Sequence, residues 1–266
     1  MADRYAVIGN PVAHSKSPWI HAQFARQTGQ AMQYGAILAP IGGFSHAVAE
    51  FRATGGRGAN ITLPFKQEAF RLAARTSERA QAARAVNTLV LDGDGIFGDN
   101  TDGAGMIGDL QRNLRFDLAG KRVLLMGAGG AAQGVLSPLL ESRPARLVIA
   151  NRTAQKALAL SRRFAPATAG GYAELEGEQF DLVINATSAG LSGELPAVAK
   201  AIFATGALAY DMVYGRDTPF LRLAREAGAA ASDGLGMLVE QAAESFLLWR
   251  GVRPDTAPVL AALRSA

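Results

Sequence analysis

Arg122-Val123-Leu124-Leu125-Met126-Gly127-Ala128-Gly129-Gly130-Ala131-Ala132 is the stretch on which the fold turns. Arg122–Met126 read as a strand, and residues 131–140 as a helix. The small residues between them form Gly127-x-Gly129-x-x-Ala132. The first glycine permits a tight turn. The second lets a diphosphate approach the backbone, and the small Ala132 lets the helix pack close to the strand. The helix N-terminus is then free to hold an anion. Glycines also close ordinary βα turns, so the strand–turn–helix context gives the motif its weight. Gly127, Ala128, Gly129, Gly130 and Ala131 are candidate cofactor-binding residues.

The next strand, residues 147–150, decides which cofactor. It runs into Asn151-Arg152-Thr153, with Lys156 one turn on. A carboxylate there would accept from ribose hydroxyls and select NAD. Instead Arg152 can fork onto a 2′-phosphate, and Lys156 adds a point charge. NADP is therefore the expected cofactor. A plainer reading has Asn151 or Thr153 capping the following helix and Arg152 solvated. The two readings are compatible.

Outward from this unit, strands and helices alternate, which implies an α/β protein with mainly parallel sheets. Upstream, strands are expected over 5–8, 33–38 and 58–63. A helix opens at Ser17-Pro18 and closes at Gly29, and another covers Phe44–Ala53. Residues 89–92 and 96–98 flank Gly93-Asp94-Gly95, which is hairpin chemistry. A helix over 100–114 links this block to the second one. Downstream, helix 154–164, strands 180–184 and 208–213, helix 219–227 and strand 229–232 continue a doubly wound unit. Helices over 235–249 and 258–264 end the chain.

Composition narrows the function. The 266 residues suit two modest domains. Net charge is +4 from scattered basic residues, a mild bias toward small anions rather than a nucleic-acid footprint. There is no cysteine, so disulfides and thiolate chemistry are excluded. His14, His21 and His46 are too far apart in sequence to suggest a metal site, and none is expected. No apolar run has the length of a membrane span. An apolar strand begins at once, with no basic segment and cleavage site before it, so no signal peptide is expected. A cytoplasmic enzyme is the default expectation.

Polar residues gather at strand ends in the first block, where chemistry is usually placed. Ser15 and Ser17 can both donate to one small anion at a helix start, although Ser17 could simply cap that helix. Lys66 follows a strand-end Pro64. Only five of the 27 basic residues are lysine, so a lysine here suggests a need for lysine. Lysine can release its proton when partly desolvated, whereas arginine cannot. Asp102 could be a helix cap or a catalytic carboxylate.

The ordered motifs resemble one family. Gly9-Asn10-Pro11-Val12-Ala13-His14-Ser15-Lys16-Ser17-Pro18, Asn60-Ile61-Thr62-Leu63-Pro64-Phe65-Lys66, Ala85-Val86-Asn87-Thr88 and Gly98-Asp99-Asn100-Thr101-Asp102-Gly103 are similar to shikimate dehydrogenases. So are the dinucleotide motifs above, Asn185-Ala186-Thr187-Ser188-Ala189-Gly190, Asp211-Met212-Val213-Tyr214 and Asp233-Gly234-Leu235-Gly236-Met237-Leu238-Val239-Glu240-Gln241-Ala242. The resemblance spans nearly the whole chain. It implies a substrate-binding and catalytic domain over 1–101 and an NADP-binding Rossmann domain over 102–234. Helices over 235–266 would return to the first domain. It implies reversible reduction of 3-dehydroshikimate to shikimate in aromatic biosynthesis, by a monomer or homodimer. By the same resemblance Lys66 and Asp102 are the catalytic pair. Ser15 and Ser17 bind the substrate carboxylate with Tyr214 assisting, and Thr62, Asn87, Asp102 and Gln241 hold ring hydroxyls. Thr187, Met212, Gly234 and Met237 join the cofactor site. Arg84 departs from the pattern, standing where a glycine often precedes Ala-Val-Asn-Thr.

Two rivals remain open: a quinate or aminoshikimate dehydrogenase with the same chemistry, and a non-catalytic NADP sensor. Lys66, Asp102 and the serines argue against the sensor, which does not need them.

Overall fold

The computed structural model describes residues 2–91, 93, 95–187, 189 and 193–265. The chain divides into two compact units, one of Met1–Gly105 with Leu238–Ala266 and one of Met106–Met237. This differs by a few residues from the boundaries expected at 101/102 and 234/235. Asp102 stays with the first unit because its carboxylate is bonded there to Lys66 and Asn87. Gly105 stays because it lies against Gln241, so closely that a Cβ on it would come within 2.6 Å of the Gln241 Cβ.

The first unit holds a six-stranded mixed sheet. Its strands are β1 (Asp3–Gly9), β2 (Met32–Leu38), β3 (Gly56–Ile61), β4 (Arg75–Thr76), β5 (Thr88–Val90) and β6 (Phe97–Asp99), in the order β2-β1-β3-β5-β6-β4. β1 runs parallel to β2 and β3, whereas β5 is antiparallel to β3 and β6. Residues 5–9 of β1 are all buried, as a central strand covered on both faces requires. Helices α1 (Ser17–Thr28), α2 (Phe44–Ala53), α3 (Lys66–Leu72) and α4 (Glu78–Ala83) follow its strands. Ile8, Phe44, Ile61, Phe65 and Leu89 form the centre of its core. Arg84 closes α4 in the left-handed region, at φ 50. A glycine takes that conformation freely, while for a residue with a Cβ it costs about 1 kcal/mol. This is the physical content of the departure noted in the sequence.

The second unit holds a six-stranded parallel sheet. Its strands are β7 (Arg122–Met126), β8 (Arg146–Ala150), β9 (Thr168–Gly170), β10 (Phe180–Asn185), β11 (Phe203–Asp211) and β12 (Ala230–Ser232). Their order is β12-β11-β10-β7-β8-β9, which is the doubly wound arrangement with its reversal between β7 and β10. A first helix, α5 (Asp102–Gly108), leads into this unit and continues as one π-helical turn, Asp109–Asn113. Helices α6 (Gly130–Glu141), α7 (Ala154–Ser161) and α8 (Pro219–Glu226) connect its strands. α9 (Leu235–Arg250) starts in the second unit and runs into the first, where α10 (Ala257–Arg264) ends the chain.

The helix expected over 100–114 is thus α-helical only to Gly108, and the helix expected over 154–164 stops at Ser161. α3, β4, α4 and β9 had no counterpart in the sequence reading. Each is seven residues or shorter, too short for a helical or alternating period to repeat. Asp94 of the expected hairpin turn and Asp92 of the strand before it lie outside the described residues, as do Ser188 and Gly190. Among the described residues no helix is long and apolar enough to cross a membrane.

Candidate active site

The first unit concentrates polar side chains at the ends of β3, β5 and β6. Lys66 begins α3, and its Nζ lies 2.6 Å from Oδ2 of Asp102. Asp102 is the first residue of α5, and its carboxylate is bonded to Lys66 and Asn87. The Asn100 side-chain oxygen accepts the Asp102 N–H at 3.1 Å. Asn87 Nδ2 donates to the other Asp102 oxygen at 2.8 Å. The same amide nitrogen lies 3.3 Å from Oε1 of Gln241, on α9. The Asp102 side chain is 7% exposed and that of Lys66 21%, so the pair is sheltered with the ammonium as its open end.

Two loops flank this pair. Asn10 N–H donates to the Leu63 carbonyl at 3.0 Å, stitching the loop after β1 to the loop that ends in Lys66. Ser17 N–H donates to Ser15 Oγ at 3.3 Å, which brings the two serines together. Ser17 does not act as a cap. Lys16 holds the N-cap position of α1 without a side-chain bond. Thr62 is partly buried and its N–H extends the β1–β3 pairing to Ile8.

In the second unit the glycine turn has the form a dinucleotide needs. Gly127 sits at φ 113, and a Cβ there would press on the Ala186 carbonyl at 3.0 Å. Cβ atoms built on Gly129 and Gly130 would meet nothing within 4 Å, so open space lies over the start of α6. That helix has no side-chain cap and no acid in its first turn, leaving its N–H groups for phosphate. Arg152, Thr153 and Lys156 are exposed, and α7 also begins without a side-chain cap or an acid. Asn151 Nδ2 bridges to the Thr153 carbonyl at 3.0 Å, so it shapes the loop rather than capping the helix. These residues fit a phosphorylated dinucleotide.

Behind this edge lies a clamp the sequence reading did not assign. Asn185 Oδ1 accepts the N–H and the hydroxyl of Thr187, at 3.1 and 2.7 Å. Its amide nitrogen donates to Asp211 Oδ2 at 3.2 Å, and Thr218 donates to the same oxygen at 2.6 Å. Asp211 Oδ1 accepts the Val213 N–H at 3.0 Å. Burial raises the Asp211 carboxyl above its usual range, against the bonds from Thr218, Val213 and Asn185 that lower it. Two strand ends are thereby locked together, fixing Thr187 and Met212.

Three family profiles cover most of the chain. They are described as the shikimate dehydrogenase substrate binding domain (residues 7–89), shikimate / quinate 5-dehydrogenase (109–193) and the shikimate 5′-dehydrogenase C-terminal domain (234–264). The shikimate dehydrogenase (NADP(+)) of Dechloromonas aromatica is 62% identical over 270 residues, covering 100% of this chain and 98% of that protein. The chain belongs to the shikimate dehydrogenase family. Among solved structures, an Ael1 enzyme from Pseudomonas putida is 50% identical with a TM-score of 0.94, each chain covered to 98%. The shikimate 5-dehydrogenase of Thermus thermophilus, solved in complex with NADP(H) and shikimate, is 35% identical with a TM-score of 0.90, each chain covered to 99%.

In this member of the family, Lys66, Asn87, Asp102 and Gln241 share one hydrogen-bonded network. Ser15 and Ser17 lie on the stitched loop of the same unit. Tyr214, partly buried and with its phenol raised by that burial, belongs to the second unit. So do Gly234 and Met237, both buried at the start of α9. Asn60, Thr88, Thr101 and Ser245 are bonded into the same network and were not nominated from the sequence. Ser245 could have been found, because it follows Gln241 by four residues and so shares its helix face.

Proposed function

We propose that this chain interconverts 3-dehydroshikimate and shikimate with NADP, as a cytoplasmic step of aromatic amino-acid biosynthesis. The observation that carries the reading is the 2.6 Å pairing of Lys66 and Asp102, contributed by distant stretches of the chain. A sensor would have no use for it. Bound NADPH supplies the hydride to the ketone carbon. Lys66 stabilises the charge that develops on the carbonyl oxygen and delivers a proton to it. In the oxidative direction the same nitrogen accepts the hydroxyl proton. Asp102, anchored by Asn87, holds the Lys66 ammonium and accepts from a substrate hydroxyl. Ser15 and Ser17 bind the carboxylate with Tyr214 assisting, and Thr62, Asn87 and Gln241 hold the ring hydroxyls. The chain works as a monomer or homodimer.

Arg152 and Lys156, with no carboxylate beside them, support NADP over NAD. Arg152→Ala is expected to raise the Kd of NADPH by about 10–100-fold and to leave NADH nearly untouched, since a charge-assisted bond contributes roughly 1.5–3 kcal/mol. Fluorescence titration of both nucleotides checks this, and equal losses would remove Arg152 from the 2′-phosphate. Absorbance at the nicotinamide band, with shikimate or quinate and NADP or NAD in all four combinations, tests the reading as a whole. Shikimate with NADP should dominate. A preference for quinate favours the sister activity, and no turnover at all favours the sensor.

A further inference from the structure

Tyr34 lies on β2 and was given no role above, yet its hydroxyl is connected to Asp102. The Tyr34 O–H donates to Asn60 Oδ1 at 2.7 Å. Asn60 Nδ2 donates to Thr88 Oγ1 at 3.1 Å and to Ser245 Oγ at 2.9 Å. Thr88 Oγ1 donates to Asn87 Oδ1 at 2.9 Å, and Asn87 Nδ2 donates to Asp102 Oδ1 at 2.8 Å. Lys66 holds the other oxygen of that carboxylate.

The direction of these bonds is set by the backbone. Asn87 Oδ1 accepts the Thr101 N–H at 2.8 Å, and a backbone N–H can only donate. The Asn87 amide nitrogen must therefore face Asp102. Asn60 Nδ2 lies 3.3 Å from the Asn87 carbonyl, which can only accept, so its oxygen must face Tyr34. Thr88 Oγ1 accepts from Asn60 and donates to Asn87 Oδ1, while at its 2.8 Å contact with Ser245 Oγ either hydroxyl can donate. Along this series the donors point toward the Asp102 carboxylate, with branches to Ser245 and Thr101. Bonds aligned in one sense polarise one another, and in a buried setting their sum exceeds the separate links. Asn60, Asn87, Thr88, Thr101 and Ser245 are all buried. One phenol thus reaches the carboxylate through three residues.

We propose that Tyr34 is a positioning residue for the reaction, its hydroxyl starting an aligned series of hydrogen bonds through Asn60, Thr88 and Asn87 that orients Asp102 toward Lys66. The inference rests on the catalytic reading of Lys66 and Asp102.

Tyr34→Phe tests it, because the ring that stacks on His21 at 4.2 Å is retained and only the hydroxyl is lost. The expected result is a fall of about tenfold in kcat/KM for shikimate, the size of one net hydrogen bond. KM for NADP should not change, and the isotope effect with shikimate deuterated at the reacting carbon should rise as chemistry slows. A purely structural role would lower the fraction of working enzyme and leave both KM values and the isotope effect alone. Thr88→Val breaks the same series at a later link. Since either change interrupts one series, the double variant should lose little more than the worse single variant. Additive losses, or unchanged kcat/KM in folded Tyr34→Phe and Thr88→Val, overturn the proposal. Normal turnover in Lys66→Ala would remove the reading beneath it. An inert Lys66→Ala beside an unaffected Tyr34→Phe would remove the role of Tyr34 alone.

Discussion

Lys66→Ala is expected to turn over shikimate about 10²–10⁴-fold more slowly, the range that a positioned general acid contributes. Substrate affinity should change little, because the lost interaction grows only as charge develops on the reacting oxygen. The substitution leaves Asp102 without its cation, but the carboxylate keeps its bond from Asn87. Circular dichroism and NADPH titration check the fold of the variant, since the proposed cofactor residues lie in the other unit. Lys66→Arg should not restore turnover, because a guanidinium does not release its proton at neutral pH. Steady-state kinetics of both variants give the answer, and a near-normal kcat in either one takes Lys66 out of proton transfer.

The second large effect is on stability at mildly acid pH. His21 is fully buried among Phe24, Tyr34, Phe246 and Trp249. Burial drives its imidazole down from 6.5 to about 3. The folded chain therefore holds His21 neutral, while the unfolded chain protonates it near 6.5. Since the unfolded state binds the extra proton, stability falls as pH drops through the window from 6.5 to about 3. At about 1.4 kcal/mol per unit, the loss reaches roughly 2 kcal/mol by about pH 5. Carboxylates act lower down. Arg122 holds Asp181, and Arg225 holds Asp217, below 3.8, so their contribution is lost only under that value. Urea unfolding between about pH 7 and 4.5 separates the two windows. His21→Phe, which keeps a ring in the cluster, should flatten the upper one. An equal slope in the variant would show that the acid sensitivity arises elsewhere.

What was legible in the sequence follows from what local chemistry must announce. The glycine turn was readable because a diphosphate demands small residues at fixed steps between a strand and a helix. Arg152 was nominated because the residue type at the end of the strand after the glycine turn bears on which nucleotide can sit there. Lys66 and Asp102 were nominated by residue type and motif, and their meeting depends on β3, β5 and β6 pairing side by side. Nothing local in Tyr34, Thr88 or Ser245 signals a shared network. Those residues come from three separate segments, and only the mixed sheet with α9 packed on it joins them. Asn185 and Asp211 lay inside recognised motifs, yet their bond to each other exists because β10 and β11 are neighbours. The π-helical turn at Asp109–Asn113 was invisible for a related reason. Its buried carboxylate is met by Tyr210, 101 residues away in sequence.

The first unit is assembled from two separate stretches, Met1–Gly105 and Leu238–Ala266, whereas Met106–Met237 is one continuous stretch. During synthesis from the N-terminus, the nucleotide-binding half is fully emerged while its companion still lacks α9 and α10. Gln241, Ser245 and Trp249 follow the second unit in sequence. A nascent or C-terminally clipped chain can thus possess a finished cofactor platform without the helix that closes the polar network around Asn87. In the order of the sequence, the polar network around Asn87 is completed only after the second unit.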